Sequence, residues 1–333
     1  MKLNFDQIKS IALGAERIAE ESDGVHFYRF TKEQEDLYIA RKAGFNQYYA
    51  TSGVSLRFIT NSETMFLKVF TSAASARNFF SFDVYADRKF LDSINNFHSK
   101  ETPRFPENAE PFGDFEKSFT LPKGEKEVRI YFPWSAAGVL KELHLDDGAS
   151  LLPVKPNRRL LCFGDSITQG YDALFTSRKY TTLLADYLDA EEFNKAMGGD
   201  GFFPELVVTK EDFVPDYVIG AYGTNDWTYL TPDKFDLYSR MFYENLAKTY
   251  PTSKIYAISP LWRKDYQNDR TFGRFVDIEN HLRNTVADLE NITLIPGMEL
   301  VDHNEELFRE LSLHPNDAGY AQYAENLKKY IPQ

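Results

Sequence analysis

The sequence predicts two domains: a β-sandwich of jelly-roll type over residues 1–150, then a three-layer α/β domain with a parallel sheet over residues 151–333. Three observations carry that prediction. Short segments that alternate apolar and polar residues run from about residue 25 to 147. After them, stretches of strand and helix character alternate, the pattern of a parallel sheet covered by helices. Between the two textures lies Gly148–Arg158, which holds Pro153 and Pro156 and reads as a linker. The length of 333 residues agrees with two domains at roughly 150 residues each.

In the first half, Ser55–Thr60 places Leu56 and Phe58 on one face and Arg57 on the other. Phe82–Phe90 alternates around Asp87-Arg88 and reads as a hairpin. Phe115–Leu121 and Val128–Phe132 repeat the pattern. Glu101–Gly113 contains three prolines and reads as a loop. Phe and Tyr crowd this half; filling a sandwich core is the first reading, and a sugar-binding face the alternative.

In the second half, Leu160–Phe163 is an apolar run fit for a buried strand. Tyr180–Leu188 is helical by period, and Tyr217–Ala221 is a second buried strand. Lys234–Tyr250 reads as helix, Ile255–Leu261 as strand, Phe272–Leu289 as helix and Ile292–Ile295 as strand. A helix over residues 317–331 closes the chain, with Tyr320, Tyr323, Ala324, Leu327 and Ile331 at helical spacing and Asn316 or Asp317 as its cap.

Composition narrows the function. With 43% hydrophobic and 26% charged residues, the chain is neither mainly disordered nor collagen-like. A net charge of −12, most of it after residue 150 and without a long Lys/Arg run, argues against nucleic acid and anionic membranes as partners. A single cysteine, Cys162, excludes an intrachain disulfide and a cysteine zinc cage. No apolar run reaches the roughly 18 residues of a membrane span. The opening residues lack the apolar core of a signal peptide, so the expected location is the cytoplasm if residue 1 is the true start.

Four polar blocks follow predicted strand ends or precede the last helix, where a doubly wound sheet gathers its functional loops. They are Gly164-Asp165-Ser166-Ile167-Thr168, Asn194 to Gly201, Gly223-Thr224-Asn225-Asp226-Trp227 and His314-Pro315-Asn316. Their chemistry is coherent. A serine on a strand-to-helix turn is exposed to substrate. Its hydroxyl needs a base, and His314 is the candidate. The N–H groups of Ser166 and Gly199 and the amide of Asn225 could stabilise a tetrahedral oxyanion. Each block alone has a plainer reading: a helix cap, two turn residues and a structural histidine. Taken together they favour the catalytic one.

The ordered set GDSIT, N-x-A-x-G-G-D, G-T-N-D and H-P-N-D-x-G-Y resembles the SGNH (GDSL) hydrolase superfamily over roughly residues 158–331. Ser166, Gly199, Asn225 and His314 match the four residues that give that family its name. The resemblance implies a flavodoxin-like sheet order and a serine esterase mechanism without cofactor or metal. A sandwich followed by such a domain is similar to two-domain carbohydrate O-acetyl esterases.

One position departs from the family pattern. Leu311 stands where these enzymes usually carry an aspartate three residues before the histidine. Three arrangements stay open: a Ser–His dyad oriented by a main-chain carbonyl near Leu311–Ser312, a surrogate acid with Glu310 and Asp302 nearest in sequence, or a silent site. Asp317 suits a helix cap better. His26, His98, His144, His281 and His303 show no paired ligand spacing, so no catalytic metal is expected.

Asp165, Trp227, Trp262 and Arg263 are the candidate substrate-binding residues, the two tryptophans as stacking faces for a sugar ring and Arg263 as a grip on a hydroxyl or carboxylate. No long apolar lid is visible, so a short acyl group is expected, acetyl above all. The expected partner is a small-molecule or oligosaccharide acetyl ester, and a homo-oligomer is compatible. The alternatives are a lipid, thioester or other acyl esterase, and, in a different class, a non-catalytic carbohydrate-binding or interaction protein.

Overall fold

The computed structural model describes residues 1–42, 44–97, 109–209 and 211–333; the side chains of Phe45, Glu310 and Leu311 lie outside that description. His98 and residues 101–108 of the expected loop also fall outside it, while residues 109–113 carry no helix or strand. The chain divides into two units, Met1–Pro156 with Leu174–Ser177, and Asn157–Ala173 with Arg178–Gln333.

The first unit is built from two antiparallel sheets. Its strands are β1 (Ala12–Leu13), β2 (Arg17–Glu21), β3 (Gly24–Tyr28), β4 (Ser55–Thr60), β5 (Thr64–Ala73), β6 (Ser81–Ala86), β7 (Lys89–Asn95), β8 (Asp114–Thr120), β9 (Lys126–Tyr131), β10 (Ala136–Leu145) and β11 (Leu152–Pro153). One sheet runs β1-β4-β9-β6-β7 with β11 beside β4, the other β2-β3-β10-β5-β8. Side chains from both sheets meet in one core, Leu56, Phe58, Phe82, Val128 and Ile130 from the first and Phe27, Leu67, Val69, Leu140 and Phe119 from the second. Phe27, Phe58, Phe80, Phe82, Phe119 and Phe132 fill that core, while Phe30, Tyr38, Phe79, Phe97 and Trp134 are buried elsewhere.

Asp87 and Arg88 both adopt positive φ, 46° and 64°, the backbone that a two-residue hairpin turn between β6 and β7 requires. Arg57 points away from the core but is covered too, and it pairs with Glu127 on β9. A helix that the sequence pattern left unassigned, α1 (Phe5–Ile11), starts at Asn4, whose side chain caps Gln7 while Gln7 caps Asn4. Helix α2 (Lys32–Ala40) follows β3.

Leu174–Ser177 belongs to this first unit through specific bonds. Thr176 donates its hydroxyl to the Phe132 carbonyl at 2.8 Å, and the Ser177 N–H donates to Asp83 at 2.8 Å. The Phe175 ring meets Phe90 and Phe97 edge-on.

The second unit holds β12 (Arg158–Gly164), α3 (Ser166–Gln169), α4 (Tyr180–Leu188), β13 (Ala190–Asn194), β14 (Tyr217–Ala221), α5 (Asp226–Tyr229), α6 (Pro232–Thr249), β15 (Lys254–Ile258), a short ribbon of β16 (Asp269–Arg270) and β17 (Gly273–Arg274), α7 (Ile278–Val286), β18 (Ile292–Ile295), α8 (Glu310–Leu313) and α9 (Asp317–Leu327). The sheet order is β13-β12-β14-β15-β18, all parallel. Winding therefore runs one way from β12 to β13 and the other way from β14 to β18. Right-handed crossovers then put α4 on one face and α6 and α7 on the other. α9 packs with α4, and α6 packs with α7. The direction reverses between β12 and β14, and loops leaving the carboxyl ends of these two strands converge there.

Three expected elements are shorter in the structure. Ile255–Leu261 was expected as strand throughout, but β15 ends at Ile258, ahead of Pro260, which has no N–H for the ladder. Phe272–Leu289 was expected as one helix, but its start forms β17 and a 3₁₀ turn at Phe275–Asp277, so regular helix covers only Ile278–Val286. The closing helix, expected over residues 317–331, begins where expected, with the Asn316 side chain accepting the N–H groups of Ala318 and Gly319, but ends at Leu327.

Candidate active site

β12 lies inside the sheet and delivers Ser166 to the reversal point. Gly164 ends the strand where a Cβ would lie 2.3 Å from the Thr168 hydroxyl and 2.9 Å from the Ala221 carbonyl, so only glycine lets the turn close. Asp165 then caps α3, its carboxylate accepting the Ile167 N–H at 2.9 Å. Ser166 is the first residue of that helix.

His314 reaches Ser166 from the far end of the chain, between α8 and α9. Its Nε2 lies 2.8 Å from Ser166 Oγ, and its Nδ1 lies 3.1 Å from the Asp172 carboxylate. All three are buried; Asp172 is fully enclosed, and His314 is 7% exposed. Asp172 follows a chain reversal after α3: Gly170 takes φ 112° and Asp172 φ 68°, and the Ser166 carbonyl accepts the N–H groups of both Gly170 and Tyr171. The Tyr320 hydroxyl, from α9, sits 3.0 Å from the Ile167 carbonyl and 2.8 Å from that of Tyr171. It braces the short helix and the reversal together.

This geometry corrects the expected orienting group. The group at Nδ1 is a carboxylate rather than a main-chain carbonyl, and it comes from neither Glu310 nor Asp302. The Ser312 carbonyl accepts the Lys264 N–H instead. Asp302 is exposed, and the Glu310 side chain lies outside the described residues. The signal in the sequence was Gly170: a glycine four residues after the serine turns the chain back on itself. The next acid, Asp172, lies near the serine in sequence and near the histidine in space.

Gly199 is exposed with φ 82°, and a Cβ there would meet no atom within 4 Å. Among the described residues its N–H has no acceptor. The Asn225 amide donates to the Asp200 carbonyl at 2.7 Å, joining the second and third blocks. An amide nitrogen carries two hydrogens, so this bond leaves one for another acceptor.

The residues expected to grip substrate are placed differently. Asp165 is buried in its capping role; burial first, then the charges of Asp226 and Asp200, push its carboxyl up to about 7. Trp227 is fully buried, with the guanidinium carbons of Arg263 and Arg270 at 5.0 and 5.2 Å from its ring centre and Phe275 against it. Trp262 stacks on His303 and meets Phe308 edge-on. Neither tryptophan offers the free ring face expected for a sugar. Arg263 is committed to Asp265 and to the Thr224 hydroxyl at 3.0 Å, so it braces the third block rather than reaching outward.

Away from these residues, the hairpin of β2 and β3 brings Glu21, Asp23 and His26 together, one possible ligand atom of each within 4.8 Å of the others. The sequence showed no such pairing. The His26–Asp23 hydrogen bond at 2.8 Å accounts for it on the surface of the hairpin.

Residues 162–322 match the GDSL-like Lipase/Acylhydrolase family. No curated protein matches the chain in sequence. Among solved structures the chain is similar to a salicylyl-acyltransferase from a tetracycline biosynthetic pathway, at 18% identity over 96% of this chain and 92% of that one, with a TM-score of 0.77. It is similar to a family two carbohydrate esterase from Clostridium thermocellum in complex with cellohexaose, at 14% identity over 96% and 97% of the chains and a TM-score of 0.66. It is also similar to an acetyl xylan esterase from the rumen bacterium Butyrivibrio proteoclasticus, at 18% identity over 86% and 90%, with a TM-score of 0.57. At these identities the likenesses establish the fold. The matched residues, just under half of the chain, run from the strand that carries Ser166 to the helix that follows His314; this stretch is similar to the GDSL-like lipase/acylhydrolase family, which supports a carboxylic ester hydrolase.

Proposed function

We propose that this hydrolase removes short acyl groups, acetyl above all, from carbohydrate esters, with Ser166 as nucleophile, His314 as base and Asp172 as orienting acid. The hydrogen-bonded line from Ser166 Oγ through His314 to Asp172 is the observation that carries the reading. Nε2 takes the hydroxyl proton as Oγ attacks the ester carbonyl. The Asp172 carboxylate accepts the Nδ1–H and stabilises the imidazolium that forms. The N–H groups of Ser166 and Gly199 and the free hydrogen of the Asn225 amide bind the oxyanion. Collapse breaks the bond to the sugar oxygen, which receives the proton from His314. Water then cleaves the acyl-serine by the same route. The carbohydrate part is supported by the esterases among the structural neighbours and the short acyl group by the lack of a long apolar lid segment.

The test is acetate release from p-nitrophenyl acetate and from acetylated xylo-oligosaccharides, wild type against Ser166→Ala. The expected result is loss of at least a thousandfold in kcat. Equal rates would overturn the nucleophile, and a preference for octanoate over acetate would move the substrate to lipids.

A further inference from the structure

We propose that Gln169 and Asp226 are positioning residues that hold residues 198–202 so that the Gly199 N–H faces the oxyanion. The inference rests on the role given to Gly199 above and goes beyond it to what fixes that donor. The segment has no regular secondary structure between β13 and the 3₁₀ turn at Pro204–Val207, so nothing in a ladder or helix holds it.

A turn bond from the Asp200 N–H to the Met197 carbonyl at 3.1 Å closes around Gly199, and three side chains tie the segment to its surroundings at alternate residues. The Gly198 N–H donates to Gln169 Oε1 at 2.7 Å. The Asp200 carbonyl accepts the Asn225 amide at 2.7 Å. The Phe202 N–H donates to Asp226 Oδ1 at 3.0 Å. Gly199 lies between the first two ties and keeps its own N–H unpaired among the described residues. Gln169 is on the helix that begins with Ser166, and Asp226 is the residue after Asn225. The segment is thus fastened to the nucleophile block on one side and to the amide block on the other.

The position of Asp226 suits this task. The segment lies directly on its carboxyl, since a Cβ at Gly201 would come 2.4 Å from Oδ1 and 2.9 Å from Oδ2. The side chain is buried, and among the described residues Oδ2 has no hydrogen-bond partner. A buried carboxyl oxygen without a partner is costly, and its retention needs a reason such as the bond to Phe202. An oxyanion hole depends on donors fixed before the charge develops, so slack in this segment lowers turnover while substrate still binds.

The experiment compares wild type, Ser166→Ala, Asp226→Ala, Asp226→Asn and Gln169→Ala on p-nitrophenyl acetate, with thermal melts and inhibition by phenylboronic acid, which forms a tetrahedral adduct on serine. Asp226→Ala and Gln169→Ala are expected to lose about ten- to a hundredfold in kcat with KM within about threefold, and to weaken boronate inhibition by a similar factor. Asp226→Asn keeps the acceptor oxygen and is expected within about threefold of wild type. Wild-type kcat in Asp226→Ala, equal damage from Ala and Asn, or a loss carried by KM with boronate inhibition unchanged overturns the proposal. If Asp226→Ala does not fold, Gln169→Ala decides by the same readouts. Activity surviving in Ser166→Ala overturns the site assignment and this inference with it; an inactive Ser166→Ala beside an unaffected Asp226→Ala overturns this inference alone.

Discussion

Asp172 reaches His314 because the chain after Ser166 turns back within six residues, through two left-handed conformations and under the Tyr320 hydroxyl. A neutral imidazole must carry its proton on Nδ1 to leave Nε2 free as a base, and a carboxylate at Nδ1 enforces that tautomer. Asp172→Asn presents an amide that can stabilise the wrong tautomer. It is expected to lower kcat on p-nitrophenyl acetate by about 10²–10⁴, with KM nearly constant. Asp165 gives a second prediction at this scale. Its carboxyl ionises near 3.8 in the unfolded chain but only at about 7 in the folded one, because burial disfavours the charge. Below 3.8 both states are protonated and the group is neutral to stability. Between these values the unfolded chain releases a proton that the folded one keeps, so stability falls as pH rises and then stays low above about 7. Asn at 165 can still cap the helix. Asp165→Asn is therefore expected to raise Tm over wild type more at pH 8 than at pH 5; a gap that does not grow with pH would refute the assignment. Of the proposed site, Ser166, Gly199, Asn225 and His314 are the residues that the blocks single out. Asp172 is not among them, because a partner chosen by a chain reversal leaves no spacing rule relative to the histidine.

The elements around the serine are tied by a buried ion pair. Lys179, ahead of α4, meets Glu192 on β13, and both are sealed from water. Burial pushes the Glu192 carboxyl up, but Lys179 outweighs it and holds the group below its ordinary range. Thr182 donates to the same carboxylate at 2.7 Å, and the Asn194 amide links it to the Thr168 carbonyl on α3. Removing one partner strands a buried charge, so Lys179→Met is expected to cost about 3–5 kcal/mol in denaturant unfolding. Lys179→Met with Glu192→Leu is expected to recover most of that loss. Periodicity located these elements well, since their burial is periodic, and Tyr217–Ala221 and Tyr180–Leu188 appear with the expected limits. It overran at Phe272, where apolar spacing continues although the backbone is pinned by the Phe272 N–H to the Trp227 carbonyl and the Trp227 indole to the Gly273 carbonyl. Those are long-range bonds, which a local pattern does not encode.

Over the whole molecule, Cys162 lies in the middle of β12, fully buried, and burial, then the Glu192 charge, pushes its thiol well up. The native protein is expected to resist a thiol-specific disulfide reagent that labels it at once in denaturant; fast labelling of the native form would contradict the enclosure. The change of texture at the linker was legible because a sandwich and a parallel sheet place apolar residues at different periods. Leu174–Ser177 was not, since those four residues sit in the second half of the sequence but take their partners, the Phe132 carbonyl, Asp83, Phe90 and Phe97, from the first unit. They begin two residues after Asp172. A gene fusion made at the linker would therefore inherit a mismatched insert next to the residue that orients His314. The halves of this protein can be exchanged among relatives only by a graft that carries both sides of that insert, so they are expected to be inherited together.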